Sequence, residues 1–172
     1  LFHITQSLIR IMAPILSFTA HEASEVIFKK NAKSVFTEEW YEFPKNLIDD
    51  KSLNDWNNIL EIRGYVNKKI EEIREKGDIG SSLQSEIEIN APSKEFESLK
   101  VFEKELKFIF IVSKVNIKKN EKLEIYVKKS QYNKCERCWH YCEDVGKHDN
   151  HQELCGRCIT NLYKDGETRL YV

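Results

Sequence analysis

The sequence predicts an α+β fold class, with a helical bundle portion, a small mixed α/β unit and a C-terminal four-cysteine segment. Three observations predict it. Apolar residues recur at helical spacing across residues 53–76. Residues 83–90 and 123–129 alternate apolar with polar side chains, as half-buried strands do. All five cysteines lie between positions 135 and 158. We therefore expect three domains, at residues 1–80, 81–131 and 132–172.

The N-terminal region is predicted to be helical. Residues 2–12 carry apolar side chains at mixed three- and four-residue spacings, which indicates a buried helix. Pro14 should end or kink that helix, because proline lacks the amide proton that a helix needs. Thr19 stands three residues before Glu22, the spacing of a capping box. A second helix is therefore expected from about residue 20 to 28.

The longest predicted helix covers residues 53–76. Ser52 or Asn54 could cap its N-terminus, and Gly77 follows its last basic residues, as is typical of a helix C-terminus. We expect one face of this helix to be apolar and buried. The residues of that face are Trp56, Ile59, Leu60, Val66, Ile70 and Ile73.

The mixed unit is predicted to follow the order strand, helix, strand, strand. The first strand covers residues 83–90, and Pro92 and Ser93 open the helix. Residues 108–112 form a short continuous apolar run, which we interpret as a buried strand. The last strand covers residues 123–129. Such an order is enough for a small α+β unit with an open sheet.

Composition and charge exclude some classes of protein. The 172 residues carry a net charge of -1, and no stretch approaches the roughly 18–20 apolar residues of a membrane helix. Residues 114–134 hold seven lysines against two glutamates, but a lysine-rich strand edge is common on solvated surfaces. The first residue is not methionine and no signal peptide is recognisable, so we expect a cytoplasmic piece of a longer protein.

The cysteine spacing predicts a zinc site. Cys135 and Cys138 form one CxxC pair, Cys155 and Cys158 form another, and 16 residues separate the two pairs. Two such turns can surround one ion with four thiolates in a tetrahedron. Because that shell leaves no open position for water, we expect one structural zinc ion in a knuckle or ribbon. The fifth cysteine, Cys142, lies outside the pair register and is interpreted as a bystander.

Two alternatives to this zinc site remain open at this point. Iron in a rubredoxin-like site would suit the same four sulfurs, because tetrahedral thiolate ligation fits both metals. Three histidines near the pairs could compete for a ligand position, although four cysteines already complete the shell. They are His140, His148 and His151.

Basic and aromatic residues adjoin the first pair. Arg137, Trp139, His140 and Tyr141 would suit stacking on unpaired bases and contact with phosphate. The alternative is that Trp139 covers the metal site as its small core. The residues alone do not decide between the two.

The segment Lys134–Val172 closely resembles the C-terminal zinc-binding segment of bacterial isoleucyl-tRNA synthetases. The resemblance extends over essentially the whole chain. The matching elements of the zinc segment are Cys135-x-Arg137-Cys138-Trp139-His140, Val145-Gly146, Leu154-Cys155-x-Arg157-Cys158, Asn161-Leu162 and Gly166-Glu167-x-Arg169. Those upstream are Met12–Glu22, Val35–Glu42, Leu60–Arg74, Gly77–Ile89 and an expected strand over Glu105–Ser113.

This resemblance implies a role in recognising the anticodon stem-loop of isoleucine tRNA. The family joins isoleucine to that tRNA with ATP and magnesium in a catalytic domain whose HIGH-like and KMSKS-like motifs are not in this sequence. We therefore expect this chain alone neither to activate isoleucine nor to edit, and to act as a monomer alongside further N-terminal domains of the same protein. The implied zinc ligands are Cys135, Cys138, Cys155 and Cys158. Arg137, Trp139 and His140 lie in the matching motif and are the implied RNA contacts. Lys128, Lys129 and Lys134 belong to a lysine-rich stretch that is less specific to the family, and they are expected to contact phosphate.

Two other functions are compatible with paired CxxC motifs. Formamidopyrimidine-DNA glycosylases end in a similar four-cysteine finger, but they begin with a proline nucleophile that this chain does not show at its start. A small redox protein would use a CxxC pair at a helix start in a thioredoxin-like unit. Here the pairs lie in a cysteine-dense terminal segment, so RNA recognition is the favoured function.

Overall fold

The computed structural model describes residues 1–28, 33–45 and 49–168, so the family-like Arg169 lies outside the described residues. The chain divides into two units, the first formed mainly by residues 1–47 and the second by residues 48–168. Within the described residues, no helix is both long and apolar enough to cross a membrane.

The first unit is helical, as predicted. Helix α1 spans Phe2–Met12 and helix α2 spans Ser17–Phe28, with Pro14 in the turn between them. A short 3-10 turn at Val35–Thr37 follows. Four buried residues form the core of the unit because α1, α2 and the 3-10 turn converge on them. They are Ile9, Ala13, Ala20 and Val35.

The predicted capping box at Thr19 and Glu22 is wrong. Helix α2 already begins at Ser17, so both residues lie inside the helix. The turn between the helices is short, and the Leu16 amide closes it by donating to the Met12 carbonyl at 2.7 Å. Helix α2 therefore begins two residues before Thr19.

Helix α3 spans Asp50–Glu75 and is the longest element of the second unit. Its N-cap is Asp49, whose carboxylate accepts the Ser52 amide at 2.9 Å, so the predicted caps Ser52 and Asn54 are wrong. Two residues of the predicted apolar face, Trp56 and Leu60, are partly exposed at 39% and 44%. The buried face is rotated slightly from the prediction. It consists of Ile59, Ile62, Val66 and Ile70.

A three-stranded sheet packs against α3. Its strands are β1 (Ser85–Ala91), β2 (Lys114–Lys119) and β3 (Glu124–Lys129), in the order β2-β1-β3. Strand β1 pairs parallel with β2 and antiparallel with β3. Helix α4, Ser93–Val101, follows β1 and belongs to the crossover that a parallel pair requires. The resulting core contains Ile59, Ile62, Val66, Ile70, Ile79, Ile87, Ile89, Ala91, Leu99, Leu106, Phe110 and Val112.

The predicted strand at residues 108–112 is wrong, and so is its extension over Glu105–Ser113. The chain instead forms a short helix, α5, over Leu106–Ile109, followed by a left-handed turn at Ile111. Strand β2 begins only at Lys114. A short apolar run fits a buried helix as well as a strand, because burial on all sides removes the periodic pattern that separates them.

The cysteine-rich segment completes the second unit. Strands β4 (Asn133–Lys134) and β5 (Tyr141–Cys142) form a small antiparallel hairpin, and helix α6 spans Gly156–Tyr163. Its small core holds Val145 and Leu154 together with three cysteines. Those cysteines are Cys135, Cys155 and Cys158. The predicted α+β class is confirmed, with helices, two small sheets and a terminal four-cysteine cluster.

Candidate metal centre and nucleic-acid interface

The two CxxC pairs converge on one point. The sulfur atoms of the four paired cysteines lie within 4.8 Å of one another. In a tetrahedron with metal–sulfur bonds of about 2.3 Å, neighbouring sulfurs are about 3.8 Å apart. The Sγ atoms of Cys138 and Cys155 are separated by 3.7 Å. Donor set and spacing therefore fit a single tetrahedral ion such as zinc.

Backbone hydrogen bonds hold each pair in place. The Cys135 amide donates to the His140 carbonyl and the Trp139 amide donates to the Cys135 carbonyl, both at 2.9 Å. These bonds fold the first pair into a tight loop. The second pair lies at the N-terminus of α6, where Cys155 is the N-cap and its amide donates to the Cys135 sulfur at 3.3 Å. A helix N-terminus favours negative charge and therefore the thiolate form that a metal binds.

Gly156 is required by the packing between the pairs. Its amide donates to the Asp144 carboxylate at 2.6 Å, and a Cβ on residue 156 would lie 2.9 Å from the same oxygen. His148 Nε2 is 3.3 Å from that carboxylate, which ties its side chain to Asp144. Among the described residues, the group that could hold a metal ion consists of these four cysteines and includes no histidine.

Cys142 is closer to this cluster than its spacing indicates. It lies in β5, is half-buried, and packs against the cysteine core. Hydrogen bonding with Cys138, and to a smaller extent with Cys142, lowers the pKa of Cys155 far below that of an ordinary cysteine. Cys142 is thus outside the four-sulfur group and in contact with one of its members.

Trp139 does not cover the sulfur cluster. Its side chain is 58% exposed, and its indole Nε1 donates to the Glu136 carbonyl at 3.1 Å. The Lys134 ammonium lies 4.8 Å from the centre of the indole ring, within cation–π distance. The interpretation of Trp139 as the small core of the metal site is therefore wrong.

The other predicted RNA contacts differ in their surroundings. Arg137 is exposed, and its Nη1 donates to the Cys158 sulfur at 3.7 Å. His140 turns inward instead: its ring is half-buried and packs edge-on against Phe108, with ring centres 5.5 Å apart. Burial lowers the pKa of His140, because the charged imidazolium is less well solvated there.

The other two predicted lysines, Lys128 and Lys129, lie on strand β3 of the three-stranded sheet. Lys128 Nζ is 3.4 Å from the carboxylate of the buried Glu86, while Lys129 is exposed at the end of the strand. The structure thus brings Lys134, Arg137 and Trp139 together on the hairpin around the first CxxC pair. Lys128 and Lys129 belong to the sheet.

The sequence analysis assigns no role to the residues that pack beneath the loop of the first CxxC pair. The Arg157 guanidinium lies 4.7 Å from the centre of the Phe108 ring, and Lys107 Nζ lies 5.0 Å from it. Arg157 also forms a two-pronged ion pair with Glu167, at 2.6 and 2.8 Å. The sequence gives Phe108 no separate role, because the apolar run over residues 108–112 predicts a buried strand.

Comparison with known proteins identifies the chain. Residues 1–89, about half of the chain, match the family model described as the anticodon-binding domain of tRNA ligase. The chain belongs to this anticodon-binding family. In this member of the tRNA ligase family, residues 133–161 also match a model described as a zinc finger found in FPG and IleRS. The zinc finger alone does not separate formamidopyrimidine-DNA glycosylases (FPG) from isoleucyl-tRNA synthetases (IleRS). The match of residues 1–89 to the anticodon-binding family does separate them.

Individual relatives agree with this assignment to the tRNA ligases. The chain is 43% identical to the isoleucine–tRNA ligase of Chromobacterium violaceum over 173 residues, covering 99% of the chain and 19% of the relative. It is 44% identical to that of Burkholderia multivorans over 172 residues, covering 98% of the chain and 18% of the relative. The chain thus spans about one fifth of the length of these relatives. The predicted resemblance to a C-terminal part of the isoleucyl enzymes is confirmed.

These findings also bear on metal and function. The zinc-finger match and the four-sulfur cluster together support one structural zinc ion. The two family matches and the relatives support an anticodon-recognition portion of isoleucine–tRNA ligase.

Proposed function

We propose that this chain binds the anticodon stem-loop of isoleucine tRNA, as part of a ligase that joins isoleucine to that tRNA with ATP. The observation that carries the proposal is the exposed Trp139 on the cysteine knuckle, stacked beneath Lys134 and flanked by Arg137. An exposed aromatic ring on a loop that also carries cationic side chains is suited to an unpaired base and its phosphates.

In this proposal the zinc ion is held by Cys135, Cys138, Cys155 and Cys158, and its role is structural. Four thiolates leave no coordination position for water or substrate. The ion instead fixes the loop from which Trp139 projects. Arg137 links the two roles, because it donates to the Cys158 sulfur while its side chain remains exposed.

Each side chain has a separate task. Trp139 stacks on a base of the anticodon loop, because every base offers a π-face to an aromatic ring. Lys134 and Arg137 contact phosphate; within the described part of the chain, no carboxylate lies within ion-pair distance of either. Lys128 and Lys129 are proposed as more distant phosphate contacts, and Lys128 must first exchange its partner Glu86. For His140, which the resemblance implies as an RNA contact, we propose a supporting role instead, because its half-buried ring packs on Phe108.

A titration with a synthetic anticodon stem-loop of isoleucine tRNA tests the proposal. Trp139→Ala should weaken binding by about 1–3 kcal/mol, the usual effect of removing one base-stacking aromatic ring. Zinc content and the thermal unfolding temperature should not change. Tyr163→Ala is the matched control, since Tyr163 is a 60% exposed aromatic in the same segment that stacks on His151. Equal affinity of the Trp139 variant and the parent chain would reject the assignment.

Salt dependence tests the phosphate contacts separately. Lys134→Ala and Arg137→Ala should each reduce the slope of log affinity against log salt by about one, because each phosphate contact releases condensed counterions. Lys164→Ala provides a control, as an exposed lysine just beyond helix α6. A slope that stays constant in both variants would mean that these side chains do not touch phosphate.

The proposal also covers assembly and location. We propose that the chain acts as a monomer in the cytoplasm, where tRNA is charged with amino acids. Sedimentation at increasing protein concentration should give a constant mass near the 20.3 kDa of one chain. A mass that rises with concentration would contradict the monomer.

A further inference from the structure

Two surface turns share an unusual backbone conformation. Ile111 has φ of 56° and Trp139 has φ of 65°, and within the described residues they are the non-glycine residues with positive φ. Their side chains are 47% and 58% exposed. The left-handed conformation brings Cβ against the following carbonyl, and it is least favourable for a β-branched residue such as isoleucine. Both turns therefore display a large apolar side chain to solvent despite backbone strain.

The turn at Ile111 does not need isoleucine for its geometry. The Val112 amide donates to the Lys107 carbonyl at 2.9 Å, and the Ile111 amide donates to the Phe108 carbonyl at 3.3 Å. This is a Schellman motif at the end of helix α5, and its left-handed position is usually glycine. Helix α3 ends in the same motif with Gly77 at the equivalent position. Isoleucine at position 111 therefore makes this turn less stable than glycine would.

The two turns lie side by side. The Phe108 and His140 rings are 5.5 Å apart, and the Tyr141 amide donates to the Ser113 hydroxyl at 2.6 Å. Residues 108–113 therefore run along residues 139–141, and Ile111 lies between the two points of contact. These two contacts fix the position of one turn relative to the other.

The charges around these turns indicate what covers them. Lys107 belongs to the α5 turn, while Lys134 and Arg137 flank Trp139. Of the carboxylates in the described parts of the chain, none lies within ion-pair distance of Lys107. Apolar side chains among cations without ion-pair partners are complementary to nucleotides, whose bases are flat and apolar and whose phosphates are negative.

We propose that Ile111 and Lys107 extend the RNA-binding surface beyond Trp139. Ile111 packs against the base or ribose of a second unpaired nucleotide, next to the one that stacks on Trp139, and Lys107 contacts a phosphate between them. This inference rests on the proposed binding of the anticodon stem-loop by the knuckle. It adds the α5 turn as a second, separate part of that surface.

Ile111→Gly separates binding from stability. Glycine suits the left-handed position, so the thermal unfolding temperature should stay the same or rise and zinc content should remain at one per chain. Affinity for the synthetic anticodon stem-loop should fall about five-fold, as expected for losing one buried apolar contact, without a change in salt slope. Leu162→Ala is the control, because Leu162 is a 46% exposed aliphatic residue of helix α6, in the same unit, with an ordinary backbone.

Lys107→Ala tests the second half of the proposal. Its salt slope should fall by about one relative to the parent chain, because one phosphate contact is lost. Lys104→Ala is the control, since Lys104 is an exposed lysine one turn earlier. An unchanged slope for Lys107→Ala would remove this lysine from the surface.

The outcomes distinguish this inference from the proposed function. Normal RNA affinity of Ile111→Gly, together with weakened binding by Trp139→Ala, overturns the inference and leaves the function standing; Ile111 would then cover another protein surface. Normal affinity of both variants overturns the function as well. A lower unfolding temperature or lost zinc in Ile111→Gly would show a structural role and would also overturn the inference.

Discussion

The α/β part and the cysteine segment of the same unit are stabilised in different ways. The α/β part buries a continuous apolar core drawn from α3, α4, α5 and the sheet, with residues such as Ile89, Leu99 and Phe110 at 0–1% exposure. The core of the cysteine segment has Val145 and Leu154 as its buried aliphatic residues, and three of the metal-binding cysteines supply the rest. Burial of apolar surface therefore stabilises the first region far more than the second.

This difference shows what the zinc ion contributes. A segment of about 40 residues cannot bury enough apolar surface to offset its loss of chain entropy. Bonds from four sulfurs to one ion replace the missing core, so binding of the metal and folding of the segment are one event. The α/β part needs no such ion, because its own side chains cover one another.

Removing zinc should therefore have the largest effect on folding, and it should unfold the cysteine segment but not the α/β part. A chelator, or Cys158→Ser, should unfold residues 133–163 because about 10–16 kcal/mol of apparent metal-binding free energy is lost at neutral pH. Amide signals of the sheet residues should persist in a two-dimensional NMR spectrum, while those of the cysteine segment collapse to disordered positions. Loss of the sheet signals as well would mean that the two regions fold as one.

Cys142→Ser is the matched control for that experiment. Cys142 touches the Cys155 sulfur but is not part of the four-sulfur cluster. Its variant should retain one zinc per chain and the dispersed amide signals. Loss of zinc from this variant would show that the fifth sulfur is a ligand.

A cavity in the apolar core should have the next largest effect, and it should destabilise the α/β part. Leu99 in α4 is fully buried, and Leu99→Ala should lower the free energy of unfolding by about 2–5 kcal/mol. Chemical denaturation monitored by circular dichroism measures this change, with the exposed neighbour Lys100→Ala as the control. Zinc content should remain at one per chain. Loss of zinc from the Leu99 variant would show that the two cores fold cooperatively.

The metal cluster could be predicted from the sequence, because its information is local. A CxxC turn fixes the geometry of two sulfurs within four residues, and two such turns make one site. The helices α1 and α3, and strands β1 and β3, were also recovered from periodicity. Residues 108–112 were not, because a segment buried on all sides has no alternating face, and whether it coils depends on its neighbours in the fold.

The surroundings of the site were harder to predict than the ligands. His140 and Trp139 are adjacent in sequence, yet one packs on Phe108 and the other projects into solvent. The left-handed backbone at Trp139 produces this difference, and no sequence pattern announces it. Arg157 likewise gains its role from Phe108, a partner 49 positions away that only the folded chain brings near.

The smallest effect concerns the left-handed positions at the ends of helices. Gly77 has φ of 80° and no atom within 4 Å of the place where a Cβ would lie, so Gly77→Ala adds backbone strain without a clash. Its free energy of unfolding should fall by about 1–2 kcal/mol. Gly64→Ala makes the same substitution inside helix α3, also without a clash, and should raise stability by about 0.5–1 kcal/mol because alanine favours the helix. Denaturant titrations of the two variants should therefore shift in opposite directions. If Gly77→Ala proved as stable as the parent, left-handed strain in this fold would be too small for isoleucine at position 111 to destabilise its turn. The argument for Ile111 would then rest only on the exposure of its side chain and on the charges around it.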